Sequence, residues 1–106
     1  MELLTMIFAT LCVTLYSGGE DCSYLYTEVQ QEQLLVMHAS AGGDTQKYMD
    51  GNQTLAGFVY ATDKKMFILP DLHESYINHE KKHVICQLEY ERHGVNDPFC
   101  KGHFRV

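Results

Sequence analysis

The spacing of hydrophobic and polar residues changes along this chain, and each change marks an element. Leu3–Tyr16 (LLTMIFATLCVTLY) is an almost unbroken apolar run, followed by the small residues Ser17-Gly18-Gly19. The run is short for a membrane span and lies at the amino terminus. It is therefore expected to be a secretory leader, residues 1–19, cut after Gly19. The leader carries Glu2 and no Lys or Arg ahead of its apolar core. The alternative is a buried N-terminal helix.

Thr27-Glu28-Val29-Gln30 has the form of a capping box, and the Glu, Gln, Leu, Met and Ala that follow predict a helix ending near Ser40. Val29, Val36 and either Ala39 or Met37 are expected on its inner side, with Gln30, Gln31 and Gln33 outside. Gly42-Gly43 stops the helix, and a polar segment runs from Asp44 to Thr54. Leu55–Thr62 and Met66–Leu69 predict strands on either side of a turn at Asp63-Lys64-Lys65. In His83–Arg92, Val84, Cys86, Leu88 and Tyr90 alternate with polar neighbours, a period of two that predicts a further strand. Gly94 and Asn96-Asp97-Pro98 predict a turn, after which Phe99-Cys100 returns to the core. One N-terminal helix packed on a small antiparallel sheet makes an α+β domain over residues 20–106.

The length allows one domain. The formal charge of −6 argues against tight nonspecific binding to a phosphate backbone. The mature form has no second apolar run to enter a membrane, and a monomer without cofactor is expected. Asn52-Gln53-Thr54 is an N-glycosylation acceptor in a stretch suited to an exposed loop. Removing the leader removes Cys12 and leaves Cys22, Cys86 and Cys100. An oxidising compartment favours a disulfide in so small a domain. Cys22–Cys100 closes the longest loop, worth about 4–5 kcal/mol in the chain-entropy model. Cys86, on the apolar side of its predicted strand, is then a free buried thiol.

Five of the six histidines lie between residues 73 and 103. His79-Glu80-Lys81-Lys82-His83 is an HExxH string, which on a helix places two imidazoles on one side to hold Zn²⁺ while Glu80 activates water. Glu89 or His93 would complete the set. Lys81 and Lys82 would bring positive charge near the cation, and a strand at His83 would point the histidines apart. A second set is His83, Glu89, Arg92 and His93, which on a strand could supply the acid, base and phosphate-holding groups for RNA cleavage by 2′-OH attack. Against it stands the ordinary role of such residues as the solvated side of an amphipathic strand. The aromatic residues are expected in the core and in cross-strand pairs.

The layout resembles the small secreted guanyl-preferring fungal ribonucleases and the ribonuclease-like effectors of powdery mildew fungi. The resemblance rests on Cys22 followed by Tyr26 and a helix ending at Ala39. It also rests on Phe67-Ile68-Leu69-Pro70 followed by Tyr76, on His83-Val84-Ile85 where that family has an Arg-Val-Ile strand, and on Phe99-Cys100 near its closing Phe-x-x-Cys. The family's long disulfide likewise joins the two ends. The departures fall on catalytic positions. Lys65 and Met66 stand where the family has its glutamate, His83 replaces the strand arginine, and only Arg92-His93 lies near the place of its Thr-His-Thr-Gly. The resemblance thus implies a secreted, non-catalytic protein delivered into host cells, where it engages a host protein or RNA. An active secreted ribonuclease and a zinc-dependent hydrolase through residues 79–83 are the alternatives.

Overall fold

The computed structural model describes residues 7–49 and 53–94. The elements run β1 (Ala9–Thr14), β2 (Glu20–Glu28), α1 (Gln31–Ser40), α2 (Gln46–Met49), β3 (Gly57–Tyr60), β4 (Lys65–Ile68) and α3 (Glu74–His93). The strands form one sheet in the order β1-β2-β4-β3. β1/β2 and β3/β4 pair antiparallel, whereas β2 and β4 run parallel. The α+β class expected from sequence is present. The expected arrangement is corrected: the sheet is mixed, and two strands precede the first helix. Parallel neighbours need a crossover, and here the chain between β2 and β4 carries α1, α2 and β3.

The sheet has an apolar core on each face. Leu11, Val13, Tyr24, Val59, Met66 and Ile68 meet Val84 and Leu88 of α3 on one face. Phe58 and Phe67 meet Val29, Leu34 and Leu55 on the other. Strand register explains the split. Val59 lies opposite Met66 and Phe58 opposite Phe67, so successive residues serve opposite cores. The Phe58 and Phe67 rings stack with centroids 5.2 Å apart.

The apolar run expected to leave as a leader supplies β1. Leu11, Val13 and Leu15 from it are buried. A cut after Gly19 would remove this strand. Register shifts between Leu11 and Val13, so Cys12 lies beside Cys22 on the neighbouring strand. The two form a disulfide with Cα atoms 4.0 Å apart. Cys22 therefore does not pair with Cys100. A long loop favours a bridge only if the fold brings the two Cβ atoms together, and strand pairing does that for Cys12 and Cys22. Cys86 is also disulfide-bonded, which corrects the expectation of a free thiol. Cys100 and the acceptor Asn52 lie outside the described residues.

α1 begins later than its Thr-x-x-Gln signal suggests. Thr27 lies in β2 instead, and its hydroxyl donates to the Ile7 carbonyl at 2.7 Å. Gln30 is the N-cap residue, and the Gln33 side chain accepts from its N–H at 3.4 Å. The buried residues of the helix are Leu34 and His38, while Val36 is 66% exposed. Gln31 bridges to the strand side: its amide donates to the Leu55 carbonyl at 2.8 Å and accepts from the Leu55 N–H at 2.9 Å.

The largest correction concerns His83–Arg92, which belongs to the twenty-residue helix α3. Its buried set includes Glu80, His83 and Glu89 beside Val84, Cys86 and Leu88. Polar residues on the buried side masked the helical period, and the alternation of four apolar residues imitated a strand. The ends carry helix signals. His73 caps the start by accepting from the Ser75 N–H at 3.1 Å. Arg92 and His93 occupy the last turn, and Gly94 closes it at φ 62° with its N–H on the Tyr90 carbonyl.

Candidate functional site on the long helix

On a helix the HExxH spacing does what a strand cannot: residues four apart share a side. His79 and His83 stand on α3 with their Nε2 atoms 3.2 Å apart. Their rings meet edge to face, with centroids 4.8 Å apart. The Glu80 carboxylate completes the cluster, in which one ligand atom of each residue lies within 4.8 Å of the others. His79 is exposed, whereas Glu80 and His83 are buried. Glu80 runs over the start of β3, where a Cβ added at Gly57 would come 3.3 Å from its Cγ. At about 100° per residue Lys81 lies about 160° round the helix from both histidines, and Lys82 about 60° from His79. Both lysines line a cavity beside Cys12, Val13 and Tyr16 at the β1 edge. The expectation that His79 and His83 point apart is therefore corrected.

The second set is not assembled. At about 100° per residue, His83 and Arg92 lie on opposite sides of the helix. Glu89 is buried, and both its oxygens are held by Ser17, from the backbone N–H at 3.1 Å and the hydroxyl at 2.6 Å. The Arg92 guanidinium donates to the Asp21 carboxylate. His93 is exposed in the last turn. The neighbouring Glu91 pairs with Lys64 at 3.2 Å. These charges tie α3 to β2, to the β1–β2 turn and to the β3–β4 turn.

Two buried polar groups at this end have shifted proton affinities. Burial acts to raise the Asp21 carboxyl, but hydrogen bonds from Ser23 and the nearby Arg92 charge outweigh it and hold the group below the usual range. Burial pushes the Tyr24 phenol upward, and the charges of Glu91 and Asp21 add to the effect.

The opposite face of the sheet carries an apolar groove of about 390 Å³. Phe8, Val36, Met37, Phe58, Tyr60 and Phe67 belong to its lining, with the polar Ser40 and Asp63 beside them. Lys65 stands at its rim with Nζ 4.8 Å from the Phe8 ring centroid. Sequence reasoning missed this groove because it assigned Phe8 to a leader and Val36 to the core. No family model, curated protein or solved structure matches the chain.

Proposed function

We propose that this protein is a secreted, non-catalytic recognition protein that engages another protein through the groove between α1 and the sheet. The groove carries the proposal: Val36, which is 66% exposed, stands in it with Phe8, Met37 and Phe67, while Ser40, Asp63 and Lys65 supply its polar part. A large exposed aliphatic residue beside aromatic rings suits an apolar or aromatic side chain from a partner. Protein is favoured over RNA by charge. The chain carries −6 overall, Arg92 is bound to Asp21 and Lys64 to Glu91. The disulfides support an oxidising compartment. The non-catalytic part of the reading is supported by the dispersal of His83, Glu89, Arg92 and His93 around α3. The resemblance to ribonuclease-like effectors enters only as the suggestion that the partner belongs to a host.

The test is selection of peptides from a random display library on the disulfide-intact chain. Selected peptides are expected to carry paired aromatic or aliphatic residues and to bind Val36→Asp at least about tenfold more weakly. Single-stranded RNA should neither bind nor be cleaved. Peptides indifferent to Val36, or RNA that binds or turns over, would overturn the proposal.

A further inference from the structure

We propose that α3 carries a zinc site formed by His79, His83 and Glu80. Two imidazole nitrogens on one tetrahedral zinc, each about 2.0–2.1 Å from the ion, stand about 3.3 Å apart. The observed Nε2–Nε2 distance is 3.2 Å. Both histidines present the same ring nitrogen to the same point, and the Glu80 carboxylate lies within ligand-cluster range of both. Imidazole and carboxylate together suit zinc among the common divalent ions, whereas magnesium and calcium take all-oxygen shells. The buried His83 and Glu80 belong to a helix packed across β3, which gives two of the three ligands a fixed frame. The exposed His79 places the remaining coordination position toward solvent, open to water or to a side chain brought by a partner. Of the two lysines within the string, Lys81 stands about 160° round the helix from both histidines, and both lysines line the cavity at the β1 edge. A direct N–H···N hydrogen bond between the rings is the competing account of the same distance. It needs a proton on one Nε2, whereas zinc needs both nitrogens bare.

The cluster of Cys12, Glu20 and Cys22 is no rival site, since its two sulfurs are joined to each other.

The experiment uses the full, disulfide-intact chain stripped with chelator and titrated with Zn²⁺, with Co²⁺ as an optical probe of coordination. One zinc per chain is expected. Its affinity should fall at least about a hundredfold in His79→Ala, beyond the roughly 10–100-fold that the loss of a supporting group costs. His79 is exposed, so this variant should keep its fold, checked by circular dichroism. Glu80→Gln should weaken binding and alter the Co²⁺ spectrum. Absence of binding at micromolar protein would overturn the proposal, as would a folded His79→Ala chain that binds zinc like the parent.

Discussion

Ser17 and Glu89 meet across 72 residues of sequence, the serine giving both its backbone N–H and its hydroxyl to the two oxygens of one carboxylate. The contact fastens the β1–β2 turn to α3. Glu89 is buried and Ser17 exposed, so removing the carboxylate deletes two charge-assisted hydrogen bonds while the freed serine donors turn to water. Glu89→Ala is expected to cost about 1–3 kcal/mol in urea denaturation. A catalytic carboxylate would instead leave the midpoint untouched, so an unshifted midpoint would argue against this structural role.

The same contact bears on the amino terminus. A chain beginning at Glu20 lacks Ser17, β1 and the Cys12–Cys22 bridge. It also loses the burial of Leu11, Val13 and Leu15, each worth roughly 1.5–3 kcal/mol. The sum is comparable to the whole stability of a small domain, about 5–15 kcal/mol. The truncated chain is expected to melt without a cooperative transition, while the longer chain melts with one. Thermal melts of both, with the mass of the naturally processed protein, decide which molecule is made.

Asp21 ties β2 to α3 through Arg92, and its carboxyl is held below the usual range. The sign follows from linkage. A depressed folded value means that the stabilisation is present above the unfolded value near 3.9 and is lost as pH falls through the lower folded value. Stability of the parent should therefore drop in strong acid, and Asp21→Asn should flatten that drop while being less stable at neutral pH. Denaturation midpoints measured from pH 7 down to pH 2 in both chains test this.

Tyr24 is the mirror case. Its hydroxyl is buried without a hydrogen-bond partner among the described residues, and its phenol is pushed upward. A raised value contributes stability that is present below the unfolded value near 10 and is lost as pH climbs toward the folded one. Tyr24→Phe removes an unpaired polar atom while keeping the ring. It should leave stability unchanged or raise it by about 1 kcal/mol at neutral pH, and it should weaken the alkaline loss.

How far the fold could be read from sequence depended on whether polar residues stayed outside. β3 and β4 were legible because Phe58, Val59, Met66 and Phe67 sit in a sheet buried on both faces and bracket a polar turn. α1 was legible in extent, but its inner side was misplaced: Leu34 and His38 point inward and Val36 outward. α3 was lost because Glu80, His83 and Glu89 are buried, so hydrophobic spacing could not report the helix. Its closing signals were present, but Gly94 was read as a turn and Arg92-His93 as a strand end carrying candidate site residues. The HExxH string was visible in sequence, yet its meaning hung on that one assignment. The groove depended on Phe8, which no periodicity could have placed there.

Gly57 joins the fold to the candidate zinc site, and a single methyl group tests the link. A Cβ there would fall 2.6 Å from the Phe67 carbonyl oxygen, 3.0 Å from Ile68 Cγ2 and 3.3 Å from Glu80 Cγ. The backbone oxygen cannot yield without disturbing the β3–β4 ladder, so Gly57→Ala is expected to destabilise by about 1–3 kcal/mol. Any relief by a turn of the Glu80 side chain, whose Cγ meets the new methyl, would swing its carboxylate away from the histidines and weaken zinc binding. Gly42 supplies the control. Its φ of 89° makes alanine strained, yet nothing lies within 4 Å of an added Cβ. Gly42→Ala should therefore cost about 1–2 kcal/mol through the backbone alone and leave zinc affinity unchanged. Paired melts and zinc titrations separate the two mechanisms. Equal loss of stability with unequal loss of zinc would place Glu80 at the metal, whereas equal zinc affinity in both variants would remove it from the ligand set.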